Sequence, residues 1–596
     1  MFNFRGSLHE AVLFFCPRFL CSFFVLVFCY NTNGLYKKDL GVNEMKKLIS
    51  VLLCGSMVLS LAGCSKNEEE TRKTKKTKKT TEDTEETEAP SDTTEESDTS
   101  SEETESTESE TSAPANVFKA EESLEMIGMD YPSQYWDYTP VFDKDTETTS
   151  YMFLSIDQLY LEDGTPYDKL ETSLERDFAP LIAQTKDQFK KESEVFLNNA
   201  KSGHYTDGNK VELSTAIFRS DSQIFSVAVT AAPGMQEGEF RTYNYRTEDG
   251  STITIDDVIL DRGALNALLE QYFAMPGADD DYKTWLTSIE NSVIDGTLPF
   301  TLAYDGINIP VFNSGMINYD VYKIPVIGHE DIFNMEYFGK TPKYYTLYDD
   351  PNRCITWDVN GDGQMDTIKA ESEYSQGTGE YGNDEIILKL EYNDFKLDSK
   401  SAGMKIYSNG LMYSMIMKTD DGFYLYCRMN AIDSFEDTYV FKIDGDKLTY
   451  VDVFMDFMGS RAMINPEAFE MFDPCDTLGT DFFTNEFSVI GNHGMPKKNY
   501  PLWTSDAGPV TAKIDIPCSK VSDIDFSKEG DVTIPAGSFV RPYLYDTDTK
   551  RLIVHIVDPD PEKSFLAELD FGSEDYVMTV NGKDVEDVFY SIMFWG

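Results

Sequence analysis

The sequence has few residues of the types that most often hold transition metals or carry nucleophilic catalysis. It contains 5 histidines and 9 cysteines among 596 residues, and none of them has the C-x-x-C or paired-histidine spacing of a zinc site. The G-x-S-x-G nucleophile turn, the H-E-x-x-H zinc helix and the phosphate-binding P-loop pattern are also missing. These absences exclude the enzyme classes that depend on such motifs, and we expect a protein without a catalytic site.

The sequence also has few basic residues relative to acidic ones. There are 51 Lys and Arg against 105 Asp and Glu, a formal net charge of −54. The acidic excess continues through residues 116–596, so it belongs to the folded part as well as to the linker before it. Such a surface repels phosphate backbones and excludes nucleic acid as an expected partner. Metal cations, basic proteins and cell-wall polymers remain compatible, although acidity also keeps an exported protein soluble.

One stretch, Met45 to Cys64, determines the expected location of the protein. A basic start precedes an apolar run from Leu48 to Leu61 and two small residues. The run is too short for a comfortable membrane span, so it predicts a removable signal peptide over 45–63. The segment resembles the lipobox of bacterial lipoproteins, which are acylated on the cysteine and cut just before it. The resemblance implies a lipid on Cys64 and a position on the outer face of the cytoplasmic membrane.

Residues 1–44 stand in front of this complete export signal. They include a further apolar segment, Ala11 to Tyr30, which Pro17 and Arg18 interrupt. Either these residues form an extra hydrophobic leader, or translation begins at Met45. We favour the start at Met45, because an export signal works from the N-terminus and an earlier apolar segment would compete with it.

A linker over 64–115 follows the signal. Beyond Cys64 it consists almost entirely of Glu, Asp, Ser, Thr and Lys and has no aromatic residue. It cannot bury apolar area, so we expect a disordered, low-complexity tether. Its basic residues cluster at 72–79, near the lipid site, which suits a spacer that starts at an anionic surface.

Four cysteines lie beyond the linker: Cys354, Cys427, Cys475 and Cys518. They allow two disulfides with three possible connectivities, or four thiols in an organism that lives without oxygen. Their spacing does not choose between these alternatives.

Residues 116–340 show mixed helical and strand patterns. Apolar residues recur at helical spacing from Tyr167 to Ala200, with Pro180 near the middle, which predicts two helices or one kinked helix. Arg262 to Ala274 is a second helical segment. Strand-like segments occur at 211–218, 224–231, 241–247 and 252–258. The region is therefore predicted to be an α+β domain.

Four segments of this region carry a resemblance to a known family: Phe240–Tyr245, Asp249–Val258, Phe300–Ile307 and Tyr322–Val326. They resemble an extracellular domain of unknown function that occurs in the lysozyme-receptor anti-sigma factor and beside polysaccharide deacetylase domains. The second of these is similar to the L-x-D-L-F helix entry of that family, and the likeness covers roughly 150–335. It implies a binding or sensing module rather than a catalytic one. The chain departs from the family at Ala231–Met235, where a Gly-Gly-Ala-His-Gly-type segment is usual, so any role of that loop does not carry over.

The most specific local pattern in the second half is a run of oxygen-bearing side chains. It comprises Asp358, Asn360, Asp362, Gln364 and Asp366, with Gly361 and Gly363 between them. Side chains at alternating positions converge when such a loop curls, the Gln364 carbonyl can point inward, and Ca²⁺ takes six to eight such oxygens. A full EF-hand is rejected, because its twelfth position is Lys369. The loop instead resembles the calcium loop between strands of integrin-type propeller repeats, which implies a structural Ca²⁺. The alternative is an acidic hairpin turn without metal.

The residue pattern in the rest of the second half predicts β-structure. Strands are predicted at 385–392, 410–418, 423–429, 439–443 and 447–453, at hairpin intervals. We therefore expect a β region with the calcium loop and propeller-like blades over 341–470, followed by a small terminal barrel or sandwich over 471–596. The fold class is an α+β domain followed by a mostly-β region.

These features together predict a membrane-anchored extracellular lipoprotein with a non-catalytic binding or sensing role at the bacterial cell envelope. A basic protein or a cell-wall polymer is its expected partner. The alternative is a cell-wall polysaccharide-active enzyme with catalytic carboxylates in the C-terminal β region.

Overall fold

The computed structural model describes residues 124–128, 134–161, 164–204, 209–233, 239–273, 280–311, 320–375, 385–406, 408–430, 437–455, 465–499, 502–505, 507–558, 560–574, 577–592 and 594. All of them lie in one compact unit, Ser109–Gly596. The predicted signal, Cys64 and the linker lie outside the described residues. The domain boundaries drawn from the sequence stay predictions.

The N-terminal sheet has five strands in the order β1-β2-β3-β4-β5. They are β1 Gln134–Asp143, β2 Thr148–Asp157, β3 Asn209–Ser220, β4 Ile224–Pro233 and β5 Glu239–Arg246. β2 and β3 are parallel, and the other neighbours are antiparallel. A parallel pair needs a crossover, which helix α1, Asp168–Lys201, provides. Of the two forms predicted there, the structure has one continuous helix with Pro180 inside it, and its apolar side packs on the sheet.

Three shorter helices and a small sheet follow. They are α2 Ile255–Val258, α3 Arg262–Phe273, α4 Asp280–Asp295, β6 Thr301–Leu302, β7 Gly306–Val311 and β8 Asp320–Pro325. The strand predicted at 252–258 is wrong, because Thr252 makes only an isolated bridge and α2 begins three residues later. The Asp257 carboxylate accepts hydrogen bonds from the backbone N–H and the hydroxyl of Thr254, both at 2.8 Å. This helix cap outweighs the alternation of apolar residues that had suggested a strand.

Two antiparallel sheets form the middle of the unit. One has the order β17-β16-β15-β14-β9 and the other β10-β11-β12-β13. Their strands are β9 Tyr345–Tyr348, β10 Cys354–Trp357, β11 Asp366–Ser375, β12 Glu385–Tyr392, β13 Phe395–Asp398, β14 Gly410–Thr419, β15 Gly422–Asn430, β16 Asp437–Asp444 and β17 Lys447–Met455. The five strands predicted in this part are all confirmed. The strand order does not establish a propeller-like arrangement.

The terminal region is built around one branched sheet of eleven strands, whose main path is β18-β19-β21-β25-β26-β27-β23-β24. Its strands are β18 Phe469–Asp476, β19 Thr480–Ser488, β20 Lys497–Lys498, β21 Leu502–Ser505, β22 Val510–Ala512, β23 Ile516–Val521, β24 Lys528–Ile534, β25 Phe539–Asp546, β26 Arg551–Val557, β27 Phe565–Leu569 and β31 Phe589–Tyr590. A three-stranded sheet of β28 Phe571–Glu574, β29 Val577–Val580 and β30 Lys583–Asp584 and the helix α5 Val585–Val588 complete it. The described strands close no barrel, because β18 and β24 are the two open ends of the path. The described chain is therefore mostly β with few helices.

Strands β14, β15 and β16 of the five-stranded sheet in the middle are buried on both faces. On β15, Leu425 and Cys427 belong to a core shared with the four-stranded sheet and helices α3 and α4, whereas Tyr424 and Tyr426 belong to a core shared with the terminal sheet. Residue Met415 of the neighbouring strand β14 joins the second core. Each strand therefore contributes to two cores by alternation of its side chains.

The N-terminal sheet also contacts the terminal sheet directly. The buried Arg541 guanidinium lies 5.0 Å from the ring centroids of Trp136 and Tyr138. The Tyr138 hydroxyl donates to the Ala507 carbonyl at 3.3 Å, and Ser591 Oγ accepts from the Thr149 N–H at 2.7 Å. The first hairpin and the last strand of the described unit are thereby joined. Cys354, Cys427, Cys475 and Cys518 form no disulfide in the described part of the chain, and Cys427 is fully buried.

A buried ion pair connects the β3–β4 hairpin to the segment before β9. Arg219 Nε and Asp221 Oδ2 are 2.6 Å apart, and both side chains are fully buried. Arg219 also donates to the Tyr337 carbonyl at 2.5 Å and lies over the Tyr304 ring. Asp221 accepts the backbone N–H groups of two residues of its own turn. Removing one member of such a pair leaves an uncompensated buried charge.

We therefore expect Arg219→Met to lower the free energy of unfolding by about 3–5 kcal/mol in urea titrations followed by circular dichroism. The matched control is Lys520→Met, whose partner Glu529 lies 2.9 Å away with both side chains about half exposed, and it should cost less than about 1 kcal/mol. Equal losses in the two variants would show that the buried pair contributes nothing special.

Candidate functional site

The predicted calcium loop connects β10 to β11 in the four-stranded sheet. Trp357 and Asp366 are directly paired at the point where the two strands meet the loop, so the loop is a hairpin connection. Gly361 and Gly363 have φ values of 76° and 84°. Residues other than glycine rarely adopt this left-handed backbone conformation, which explains why glycine is needed at these two positions.

Hydrogen bonds from the loop backbone converge on three of the predicted ligands. The Asp358 carboxylate accepts from Gly361 N at 2.7 Å and from Gly363 N at 3.0 Å. Asn360 Oδ1 accepts from Asp362 N at 2.9 Å, and Asp362 Oδ1 accepts from Gln364 N at 2.8 Å. These three side chains therefore hold the loop backbone in a curled conformation around them.

Asp366 has a different position from the other predicted ligands. It is buried, and its Oδ2 accepts from Val359 N at 3.1 Å and from Asn360 N at 3.3 Å. Its Oδ1 accepts from Asn393 Nδ2 at 2.6 Å. Asp366 therefore anchors the loop to the sheet and to the β12–β13 turn.

The loop contains oxygen ligands of the chemical type that Ca²⁺ prefers. Asp358, Asn360 and Asp362 are exposed or partly exposed, and amide and carboxylate oxygens are hard ligands. Within the described part of the chain, no three His, Cys, Asp or Glu side chains are grouped closely enough to hold a metal by themselves. A Ca²⁺ here would thus depend on Asn360 and on the Gln364 carbonyl as well. Because the loop also closes through its own hydrogen bonds, calcium binding stays a prediction.

The position equivalent to the last EF-hand ligand supports the rejection of an EF-hand. Lys369 lies on β11 and pairs with Glu371, and the loop is followed by a strand rather than by a helix.

A second group of carboxylates was not found from the sequence. Glu470 on β18 lies directly opposite Glu486 on β19, so the two side chains share one face of the terminal sheet. Burial, together with the charges of Asp157 and Glu486, raises the pKa of Glu470 to about 7. The Asp157 carboxylate accepts from Thr215 N at 2.7 Å, and Asn499 donates to Glu486 at 2.6 Å. Only the strand register reveals this pairing, since many other acids are equally close in sequence.

A third polar cluster joins the β14–β15 turn to the loop after β19. The Asp421 carboxylate accepts from the Tyr424 hydroxyl at 2.8 Å, and it lies 3.1 Å from His493 Nδ1 and 3.3 Å from Lys442 Nζ. Burial opposes ionisation, but these hydrogen bonds outweigh it and hold the pKa of Asp421 well below its usual range. The hydroxyls of Tyr424 and Thr419 both donate to this carboxylate and join the turn to the strands beside it, so we regard the cluster as structural.

None of the described helices is long and apolar enough to cross a membrane.

Comparisons with known proteins give limited information. No family model matches the chain, and no curated protein matches it. One similar solved structure is a DUF3298 family member from Bacteroides fragilis, with 14% identity, a TM-score of 0.22 and coverage of 34% of this chain and 94% of that chain. Another is a DUF3298 family protein from Pseudomonas aeruginosa, with 13% identity, a TM-score of 0.23 and coverage of 37% and 98%. Both neighbours are thus bacterial proteins with a domain of unknown function, and scores this low do not establish the fold or the function of this chain.

If the loop binds calcium, excess Ca²⁺ should raise the melting temperature and a chelator should lower it. Ligand at about 100 times its Kd stabilises the native state by about 2.7 kcal/mol. Asp358→Ala combined with Asp362→Ala should abolish the shift, whereas Asp446→Ala, in the exposed Asp-Gly turn between β16 and β17, should retain it. If the chelator leaves the melting temperature of the wild type unchanged, the prediction that the loop binds calcium is contradicted.

The raised pKa of Glu470 predicts the pH dependence of stability. Between about pH 4.5 and 7 the unfolded chain loses the Glu470 proton while the native state keeps it, so stability falls as pH rises, by as much as about 3 kcal/mol. Glu470→Gln should remove this loss, and its advantage over wild type should grow up to about pH 7 in urea titrations. Glu467→Gln, an exposed residue nearby, is the control. Parallel pH profiles for wild type and Glu470→Gln would contradict the assignment.

Proposed function

We propose that the chain is a membrane-anchored extracellular lipoprotein with a non-catalytic binding or sensing role at the bacterial cell envelope. The observation that carries the proposal is the lipoprotein signal that ends at Cys64, followed directly by the linker over 64–115. A lipid on Cys64 would hold the compact unit outside the membrane, within reach of the wall and of extracellular proteins.

The character of the compact unit supports a binding role. Its acidic surface favours basic proteins. Its hydrophobic cores hold several sheets together, so the unit can present exposed loops. The resemblance over 150–335 to a sensing domain of envelope proteins points the same way. In this proposal the 358–366 loop holds a structural Ca²⁺, and the surrounding sheets are related to propeller blades.

A specific observation favours a second candidate, a polysaccharide-active enzyme. Residues directly opposite on antiparallel strands have Cβ atoms about 4.5–5.5 Å apart, and retaining glycosidases use two carboxyl groups about 5–5.5 Å apart. Glu470 and Glu486 are such a pair, and a pKa of about 7 suits Glu470 as a general acid. However, neither residue is among those that line the three grooves with described linings, so we rank this candidate second.

Incubation of the purified chain with cell-wall polymer separates the two candidates. Under the binding proposal the polymer retains the protein, and no soluble sugars appear. Under the enzymatic candidate sugars are released, and Glu470→Gln should reduce the rate by about 100-fold or more, as expected for loss of a general acid. Retention should be unchanged in Glu470→Gln if the protein only binds.

The location can be examined in the same preparation. Native protein should be recovered with the membrane fraction and carry acyl groups on Cys64. Recovery of an unacylated chain from the cytosol would contradict the proposal for either candidate.

A further inference from the structure

A groove of the described structure lies in the terminal region, away from the residues discussed above. It has a volume of about 960 Å³, within the range of about 300–1,000 Å³ of small-ligand pockets. Strands β23 and β24, the β25–β26 turn, the β27–β28 junction and the β29–β30 turn line it. We call it the terminal groove. Residues more than 60 positions apart form its walls, so no local motif marks it.

A fixed charge network connects three strands along the terminal groove. The Glu568 carboxylate on β27 lies 2.7 Å from Arg551 Nε on β26 and 2.8 Å from Lys528 Nζ on β24. Arg551 also donates to the Phe526 carbonyl. Glu568 pairs with both cations, and these two ion pairs connect the three strands.

Three further charges of the lining remain available. Lys550, Asp531 and Asp570 are exposed and make no ion pair with any residue that the structure describes. One positive and two negative groups therefore face the solvent around a network of two cations and one carboxylate. The lining as a whole has three cations and three carboxylates, whereas the chain has about twice as many acids as bases.

The rim of the terminal groove is conformationally restrained. Lys550 and Asn581 have φ values of 59° and 51°, and they are two of the eight non-glycine residues with positive φ in the described chain. Asn581 Nδ2 donates to the Pro517 carbonyl at 3.0 Å, and Asn581 N donates to the Asp570 carbonyl at 2.8 Å. Strained backbone of this kind persists only where the surroundings hold it, and it is common at binding sites.

The lining limits the class of ligand. Its only aromatic residue, Phe571, is buried, so the groove has no stacking platform for a sugar ring. Two free carboxylates disfavour a simple anion, and Lys550 disfavours a simple cation. β24 is the last strand on its side of the sheet, and an edge strand offers backbone N–H and C=O groups to an extended peptide.

We propose that the terminal groove binds short peptides that carry a free carboxylate together with amino groups. Lys550 pairs with the carboxylate, and Asp531 and Asp570 pair with the amino groups. The inference rests on the proposed extracellular binding role for the source of the peptide, which is either free in the medium or attached to wall polymer. The binding site itself does not depend on the lipid anchor.

The probe is the tripeptide Ala-Lys-Ala with free termini, which has two amino groups and one carboxylate, titrated into the full chain by calorimetry. We expect saturable binding. Lys550→Gln should weaken it about tenfold, and amidating the peptide C-terminus should cause the same loss in wild type but little further loss in this variant. Asp531→Asn and Asp570→Asn should each weaken binding about tenfold. One of the two variants should respond less to replacement of the peptide lysine by norleucine, and the other should respond less to acetylation of the peptide N-terminus.

The control variants are Lys400→Gln and Asp394→Asn, exposed residues near the β12–β13 hairpin, which should bind as wild type does. Unchanged melting temperatures show that the groove variants are folded. Absence of saturable binding at millimolar peptide, or equal affinity in all variants, would overturn the inference.

Wall polymer distinguishes the two sources. If the peptide is attached to the polymer, Lys550→Gln should reduce retention on polymer with peptides but not on polymer stripped of them. Tripeptide binding without polymer retention supports the groove with free peptide as its source, and it counts against wall polymer as the partner in the proposed function.

Discussion

Strands β14, β15 and β16 of the five-stranded sheet β17-β16-β15-β14-β9 are buried on both faces, and most of the unit is arranged around this constraint. Leu425 and Tyr424 are neighbours in sequence, yet they point into different cores. A sheet with two apolar faces must be covered twice. The four-stranded sheet and helices α3 and α4 contribute to the core on one face, and the terminal sheet contributes to the core on the other. The regions before and after the sheet therefore cannot lose it without exposing apolar area.

The joins between these layers contain charged side chains that are buried and paired. Arg219 and Asp221 connect the N-terminal sheet to the segment before β9. Lys323 pairs with Asp305 at 2.6 Å and also donates to the Tyr348 carbonyl, so it links β8 to β9. Buried pairs add little net stability compared with apolar packing, but they tolerate only one geometry. Their effect here is to fix how the layers meet.

The sequence predicts the strands of the middle sheets well, because alternating or apolar runs between glycine and aspartate turns are local signals. It fails at Thr252–Val258, where a cap formed by Thr254 and Asp257 decides the conformation. It also leaves a barrel and a sandwich as alternatives for the terminal region, whereas the described strands close no barrel and leave β18 and β24 open. Closure depends on long-range strand order, which local patterns do not contain.

The same distinction applies to the sites. The 358–366 loop is contiguous, so its residues could be listed from the sequence, although the burial of Asp366 could not. Glu470 and Glu486 come together only through the register of β18 and β19, and the terminal groove only through contacts between distant turns.

Electrostatics relates these sites to one another. The net negative charge draws any cationic group toward the whole surface, so it gives affinity without selectivity. Selectivity must come from local exceptions, and Lys550, which has a left-handed backbone conformation and lines the same groove as two free carboxylates, is one of them. A ligand with amino groups alone would be attracted to many places on this protein. A ligand that also has a carboxylate gains a further interaction where a restrained lysine can meet it, which is why the dipolar ligand, rather than the simple cation, suits the terminal groove.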